Sequence, residues 1–153
     1  MKAIILYLLT VFVGAEPVYI AHARGQADEL ATTLGDAFER AGKSYGLPPR
    51  LILALAYSET GLNGKMVGKV GELGVMQVHP RSAAGAVYAR SCSSHTLECD
   101  AWNVHLGAQM LSECFARCGT LGMAVGCYKS GRCVQGPAAG RVLSMWRWSE
   151  GWL

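Results

Sequence analysis

Clusters of basic residues are absent from the sequence, and so are the short motifs that bind metals. The 14 Lys and Arg residues stand against 11 Asp and Glu residues, which leaves a net charge of only +3. Proteins that bind nucleic-acid phosphates concentrate Lys and Arg on one face, so this composition argues against nucleic-acid binding. No C-x-x-C or H-E-x-x-H pattern occurs, and the four histidines are scattered. The sequence therefore indicates no zinc site, no cysteine nucleophile and no cofactor.

Long hydrophobic runs, repeats and low-complexity linkers are also absent, which favours one domain in a chain of 153 residues. The longest uncharged run, residues 3–15, is shorter than the about 20 residues that a membrane-spanning helix needs. It follows Lys2 and precedes Ala21-His22-Ala23, a small-x-small pattern typical of signal-peptide cleavage sites. We expect a signal peptide over residues 1–23, a domain over 24–153, and export to the periplasm or cell envelope without a stable membrane span. Cleavage after Ala15 and an uncleaved anchor are the alternatives.

Six cysteines lie in the second half of the chain, and an even number in an exported domain predicts disulfide bonds. Six cysteines allow fifteen pairings, and the sequence does not choose among them. Cys114 and Cys118 are four residues apart on one predicted helix. Each is therefore expected to face inward and to bond to another element. Two further pairings would close short surface loops: Cys92 with Cys99, or Cys127 with Cys133.

Helical patterns dominate the rest of the sequence. The predicted helices cover residues 27–45, 48–60, 80–88, 100–119, a stretch after Thr120, and 137–148. Asp100 and Thr120 are the expected N-caps of the fourth and fifth helices. Five glycines between residues 61 and 79 predict loops with a short β-hairpin at most. A helix bundle without β structure is the alternative from the pattern alone.

One carboxylate stands where an apolar residue is expected. In the second predicted helix, Leu51, Leu55 and Glu59 follow one another at intervals of four residues, which places them on one face. A carboxyl group held against apolar neighbours loses hydration of its charged form, and it can then donate a proton near neutral pH. On the helix alone, a solvated Glu in a last turn is the simpler interpretation. The flanking sequence favours a catalytic acid instead.

Four blocks of sequence carry a family signature in a fixed order. They read S-E-T-G-L-N at residues 58–63, G-E-L-G-V-M-Q-V-H-P-R-S-A at 71–83, N-V-H-L-G-A-Q-M-L at 103–111 and A-V-G-C-Y-K-S-G at 124–131. These blocks resemble the E-S-x-F-N-P, G-A-x-G-L-M-Q-x-x-P-x-T-A, N-I-x-x-G-x-x-Y-L and A-x-x-A-Y-N-A-G motifs of the soluble lytic transglycosylases. The resemblance implies an α+β, mostly helical, lysozyme-like domain with a small irregular β segment.

The resemblance also implies a reaction and a site. In that family one Glu protonates the glycosidic oxygen between N-acetylmuramic acid and N-acetylglucosamine, and it then takes the proton of the muramyl C6 hydroxyl. The sugar closes as a 1,6-anhydro ring, and no water is consumed. By this resemblance Glu59 is the catalytic acid and base, and the glycan strand of peptidoglycan contacts Gly74, Met76, Gln77 and Tyr128. Positions in the core are the alternatives for Met76 and Tyr128.

Four positions depart from the family pattern. Thr60 replaces a Ser and keeps its hydroxyl, whereas Gly68 replaces a Ser that many members place near the substrate N-acetyl group. Lys129 replaces the Asn after Tyr128, which removes the hydrogen bonds of that amide; none of these three changes is expected to touch the acid. Glu72 replaces an Ala and is expected to be solvated. If Glu72 faced Glu59 it could hold a water, and the outcome would be hydrolysis.

The resemblance favours a peptidoglycan lytic transglycosylase over three alternatives: a muramidase that hydrolyses the same bond, a phage-encoded wall-lytic enzyme, and a non-catalytic wall-binding protein. The chain is similar to small specialised transglycosylases that open the wall for secretion, conjugation or pilus machines. Components of such an envelope-spanning machine are therefore the expected protein partners, beside the peptidoglycan strands.

Overall fold

Six helices and a short irregular segment make up the part of the chain that the computed structural model describes, residues 34–93 and 95–150. The predicted signal peptide lies outside these residues. The helices are α1 (34–45), α2 (Pro49–Thr60), α3 (Ala83–Ser91), α4 (Leu97–Cys118), α5 (Leu121–Ser130) and α6 (Pro137–Glu150). Between α2 and α3, two antiparallel bridges join Val67 to Leu73 and Leu73 to Val78. The fold is mostly helical with a small irregular β segment, as predicted.

Helix α2 is the central helix of the core. Its residues 51–56 are all buried, because α6 and α4 pack against a helix that is apolar on every side in this stretch. Pro49 occupies the first turn, where a missing N–H is not needed. Gly61 ends the helix with a φ of 60°, a left-handed conformation that glycine adopts without strain. Glu59 is thereby held in the last turn, where the helix leaves the core.

Two helix starts differ from the prediction, and the reason is local capping. Helix α3 begins at Ala83, since the Ser82 hydroxyl accepts a hydrogen bond from the Gly85 N–H. Helix α4 begins at Leu97, because the Thr96 hydroxyl accepts from the Cys99 N–H and makes Thr96 the N-cap. The prediction of Asp100 as N-cap was therefore wrong. Asp100 instead lies buried in the first turn of α4.

Of the remaining boundaries, the end of α3 at Ser91 lies three residues beyond the prediction, and the predicted start of the first helix at residue 27 lies outside the described residues; the others agree with the sequence to within two residues. Gly119 ends α4, with a φ of 82°, and Thr120 caps α5. Helix α6 starts at Pro137 as expected and continues to Glu150, two residues beyond the prediction. None of the helices among the described residues is both long and apolar enough to cross a membrane.

Three disulfide bonds join the elements of the second half. Both cysteines of α4 bond outside their own helix as predicted, Cys114 to Cys127 of α5 and Cys118 to Cys133 in the loop after α5. The third bond, Cys92–Cys99, closes the short loop that the sequence suggested. The alternative pairing of Cys127 with Cys133 was wrong, since both residues bond back to α4. Helix α4 and the segment 121–133 are thus linked covalently at two points.

Candidate active site

Glu59 is held in an ion pair across the end of the core. The Lys129 Nζ, in the last turn of α5, donates to the Glu59 Oε1 at 2.6 Å. Their side chains are only 18% and 19% exposed, respectively, so water screens the pair less than it screens a surface pair. An ammonium at this distance stabilises the negative charge of the carboxylate. We call these two residues the acid–lysine pair.

The acid–lysine pair corrects one expectation, that the replacement at position 129 does not touch the acid. Lys129 lies 70 residues from Glu59 in the chain, and the packing of α5 beside the end of α2 brings the two together. The replacement of Asn by Lys is visible in the sequence and was the signal. A flexible four-carbon stem carries the charge farther than an Asn amide reaches.

Tyr128, the neighbour of Lys129, holds a different part of the site. Its hydroxyl donates to the Met76 carbonyl at 2.6 Å, which fixes α5 against the segment between α2 and α3. Burial, and after it the negative charge of Glu59, raise the pKa of the Tyr128 phenol well above its ordinary value. Tyr128 therefore stays a neutral hydrogen-bond donor at physiological pH.

Residues 73–78, which we call the site loop, are fixed from two further sides. The Leu73 and Val78 backbones exchange hydrogen bonds at 3.0 and 2.9 Å, which closes the loop on itself. From α4, the fully buried Asn103 side chain accepts from the Met76 N–H at 2.7 Å and donates to the Leu73 carbonyl at 2.9 Å. At the end of α2, the Thr60 hydroxyl donates to the Val75 carbonyl at 2.9 Å. The hydroxyl that Thr60 shares with the usual Ser therefore joins the acid's helix to the loop.

Two glycines allow this close packing. A Cβ on Gly74 would lie 2.6 Å from the Asn103 Nδ2, and a Cβ on Gly107 would lie 2.6 Å from the Met76 Cβ. Real Cβ atoms essentially never approach heavy atoms so closely, so either added methyl group would force a neighbour to move. Gly107 belongs to the third sequence block, and its role is to admit Met76.

The structure places the predicted glycan-contact residues at different depths. Gly74 is buried, with its N–H donating to the Met66 carbonyl at 3.0 Å. The Met76 side chain is fully buried in the core, which was its alternative position. Gln77 is half-buried with a φ of 54°, and its amide donates to the Gly74 carbonyl at 3.0 Å. Tyr128 lies partly buried between the site loop and Glu59.

Glu72 folds back on its own segment. Its Oε2 accepts from the Val70 N–H at 3.2 Å. We expected Glu72 to be solvated, but the residue is half-buried. A side chain added at Gly68 would collide with this carboxylate. Glu72 therefore fills the space where a Ser side chain at position 68 would stand.

A cleft of about 280 Å³ opens beside the acid–lysine pair. Lys129 forms part of its wall, and Arg141, an exposed residue of α6, forms another part. The sequence analysis missed Arg141 because an isolated Arg on a helix carries no motif. We call this space the cationic cleft, and its six lining residues are Tyr57, Ser58, Lys129, Ala138, Arg141 and Met145.

Comparison with known proteins gives the family of this chain. The model of the transglycosylase SLT domain matches residues 36–140, which are more than half of the chain and include every residue of the site described above except Arg141 and Met145 of the cationic cleft. The chain belongs to the transglycosylase SLT family. Glu59, the site loop and Tyr128 are therefore parts of an SLT domain, and so is the family-atypical Lys129.

Curated relatives of this SLT domain carry the name "Endo-type membrane-bound lytic murein transglycosylase A". The Klebsiella pneumoniae protein is 35% identical over 79 residues, which cover 48% of this chain and 39% of the relative. The Enterobacter sp. protein is 42% identical over 50 residues, or 33% and 25% of the two chains. The Cronobacter sakazakii protein is 33% identical over 79 residues, again 48% and 39%. The match thus spans about two fifths or less of the length of these relatives.

Proposed function

We propose that this SLT domain is a lytic transglycosylase that cleaves peptidoglycan between N-acetylmuramic acid and N-acetylglucosamine. The observation that carries the proposal is a mostly buried carboxylate, Glu59, beside the Tyr128 that anchors the site loop. Family membership and the names of the curated relatives support the substrate. The product is a strand that ends in a 1,6-anhydro-muramyl group.

Glu59 performs both proton transfers in the proposed reaction. Its carboxyl group gives a proton to the glycosidic oxygen as the bond from that oxygen to the muramyl C1 breaks. The carboxylate left behind accepts the proton of the C6 hydroxyl, whose oxygen bonds to C1. The acid is regenerated, and no water enters the products. Tyr128 and Asn103 act indirectly by holding the site loop, and Lys129 must release or share the Glu59 carboxyl group before that group can reach the glycosidic oxygen.

The predicted glycan contacts belong to this proposal. Gln77, half-buried at the end of the site loop, presents an amide that both donates and accepts. The Met76 side chain is buried, so its part, like that of Gly74, is to shape the backbone that the strand lies against. Tyr128 stands between the site loop and the acid.

The cellular role is the second part of the proposal. A predicted signal peptide and one small domain suit an exported protein of the periplasm or cell envelope, and the relatives' names include a membrane-bound location. Local opening of the wall for a secretion, conjugation or pilus machine is the role we propose. Co-purification of the tagged chain with envelope-spanning assembly proteins from its own host tests this role, and recovery of peptidoglycan alone argues against it.

Digestion of purified peptidoglycan tests the activity. The wild-type protein should release muropeptides that end in 1,6-anhydro groups, each one water lighter than the hydrolysis product in mass spectra. Glu59→Gln should slow release by about a thousandfold, within the range that general acid–base catalysis contributes. Glu98→Gln, which changes an exposed Glu of α4 in the same way, is the matched control and should digest at the wild-type rate.

The products also separate the alternatives. Reducing-end products would identify a muramidase, whether of bacterial or phage origin, and would direct attention to Glu72 as the group that holds the water. Absence of products from the wild-type protein, with the strands still bound, would favour a wall-binding protein. Undiminished release by Glu59→Gln would refute the assignment of the acid.

A further inference from the structure

The cationic cleft has a charge that the proposed reaction does not use. Its lining, as the described residues form it, includes the Lys129 ammonium and the Arg141 guanidinium and no carboxylate. Among the described residues, Arg141 forms no ion pair. A positive cleft next to a site for a charged polymer attracts anions.

The size and chemistry of the cleft restrict its occupant. About 280 Å³ is near the lower end of ligand pockets, which suits one substituent better than several sugars. Arginine binds a carboxylate through two parallel hydrogen bonds, and the Ser58 side chain in the wall carries a hydroxyl. Ala138 and Met145 supply an apolar wall for the carbon atoms that carry the charge.

Lys129 belongs to both the cleft and the acid–lysine pair. Its ammonium carries three donors, and one of them is directed at the Glu59 carboxylate. A second carboxylate in the cleft could accept from another donor of the same ammonium. Glu59 would then lose part of its contact with the Lys129 ammonium.

We propose that the cationic cleft is a carboxylate subsite, where Arg141 and Lys129 bind an acidic substituent of the glycan strand and where this substituent draws Lys129 away from Glu59. The inference rests on the proposed function, because it takes the substituent to be part of the peptidoglycan substrate. Two sources carry the required carboxylate: the stem peptide, and the lactyl group of a muramyl residue without a peptide. Substrate that lacks the carboxylate leaves the acid–lysine pair closed, so the subsite selects the strand before cleavage.

Three forms of the glycan strand test the subsite. The first carries stem peptides, the second has them removed by an amidase, and the third is the second with its lactyl carboxylates converted to amides. The wild-type protein should cleave at least one carboxylate-bearing form about tenfold more efficiently, as kcat/KM, than the amidated form, the range expected for a charge-assisted contact. The preferred form identifies the source of the carboxylate.

Variants assign the preference to the cleft. Arg141→Gln should remove it, and Arg147→Gln, another exposed Arg of α6 that does not line the cleft, should retain it. Lys129→Gln should remove the preference and also raise the cleavage rate of amidated strands above the wild-type rate, because no ion pair restrains Glu59. A purely structural loss at position 129 would lower all three rates together and would contradict the proposal.

A binding measurement keeps this inference separate from the proposed function. N-acetylmuramic acid and N-acetylglucosamine are titrated into the Glu59→Gln chain and followed by NMR. Only N-acetylmuramic acid, the sugar with a carboxylate, should shift NMR signals of the protein. Arg141→Gln should abolish this shift. Binding without cleavage of any strand would overturn the proposed function and leave the subsite standing. Cleavage of all three strand forms at equal efficiency by the wild-type protein would overturn the subsite.

Discussion

Tyr128 and Lys129 are consecutive residues of α5 that control different parts of one site. The Tyr128 hydroxyl holds the site loop through the Met76 carbonyl, and the Lys129 ammonium holds Glu59, each at 2.6 Å. Neighbouring residues of a helix point about 100° apart, so a single turn of α5 contacts both the site loop and Glu59. A shift of this turn therefore moves the acid and the loop relative to each other.

Removal of the Tyr128 hydroxyl should change both the free energy of unfolding and the dependence of this free energy on pH. Tyr128→Phe leaves the Met76 carbonyl unpaired and should lower the free energy of unfolding by about 1–3 kcal/mol near neutral pH. Burial and Glu59 raise the pKa of the phenol above its ordinary value of 10.0. Above about pH 10 the unfolded chain therefore loses this proton while the folded chain keeps it, and wild-type stability falls by up to about 1.4 kcal/mol per pH unit for this group.

Urea unfolding at a series of pH values between about 8 and 11 measures both effects. Tyr128→Phe lacks the titrating group, so the stability difference between the two proteins should shrink as the pH rises through 10. Tyr45 and Tyr88, whose pKa values are also raised, are present in both proteins and cancel in the difference. A difference that stays constant over this range contradicts the assignment of the titration to Tyr128.

The sequence was sufficient to single out Glu59 as the candidate acid and insufficient to predict its contact with Lys129. Glu59 interrupts an apolar helix face and begins a family motif, and both signals are local in the chain. The contact with Lys129 joins two helix ends that are 70 residues apart. Its existence depends on the angle at which α5 packs and on the length of the Lys side chain, and no spacing in the sequence expresses either.

At the scale of elements, α4 supports the site loop in two ways: it forms a hydrogen bond with the loop, and it leaves space into which the loop packs. Asn103 pairs with the Met76 N–H, and Gly107, one helical turn further, leaves room for the Met76 side chain. The loop thus follows the surface of α4 closely. The position of the backbone beside the acid is set by a helix that does not itself carry the acid.

A methyl group at position 107 should disturb this contact. Gly107→Ala places a Cβ about where Met76 packs, and overpacking of this kind costs typically 1–3 kcal/mol. Gly140→Ala is the matched control, because this glycine of α6 has no heavy atom within 4 Å of an added Cβ. The control should gain up to about 1 kcal/mol from the better helix propensity of Ala.

Denaturant unfolding of the two variants measures these changes. Muropeptide release should fall in Gly107→Ala beyond what its unfolded fraction explains, and it should be unchanged in Gly140→Ala. If both substitutions raised the free energy of unfolding equally, the site loop would accommodate the methyl group at position 107 without cost, and the prediction would be wrong.

The order of the helices was predictable, whereas some of their boundaries were not. Gly119 and Thr120 mark an end and a start by conformation and hydrogen bonding that few other residue types provide, and both were predicted. Around α4 two residues could serve as N-cap, and the choice of Thr96 over Asp100 goes with a disulfide from Cys92 that reaches Cys99 in the first turn. Competition between two plausible caps is resolved by tertiary contacts.

For the molecule as a whole, the disulfides brace the half of the chain that supplies Lys129 and Tyr128. Two bonds tie α4 to α5 and to the loop behind it, while α2 is held by packing, by the Glu59–Lys129 ion pair and by hydrogen bonds, without a disulfide. The even number of cysteines predicted disulfide bonds. Which cysteines bond to each other in α4 and α5 depends on how the two helices pack. The spacing suggested the Cys92–Cys99 bond, whereas the partners of Cys114 and Cys118 came from the fold.

Loss of the Cys118–Cys133 bond should weaken the whole domain. The bond closes a separation of 15 residues, for which the chain-entropy model gives a stabilisation of about 3 kcal/mol. The double variant Cys118→Ala with Cys133→Ala should lose about that amount in guanidinium unfolding without reductant. The single-loop variant Cys92→Ala with Cys99→Ala, whose separation is 7, should lose somewhat less. An unchanged midpoint in the first variant would show that the bond constrains nothing in the unfolded chain.

Residues 127–129 engage three other parts of the molecule in succession: Cys127 bonds to α4, Tyr128 to the site loop and Lys129 to the end of α2. Insertion or deletion of one residue before them in α5 would turn all three side chains by about 100° and break every link at once. Substitutions at any one of the three positions leave the other two in place. The length of this helix is therefore far less free to vary than its composition, and chains that share this site should differ in α5 by replacement and not by added or missing residues.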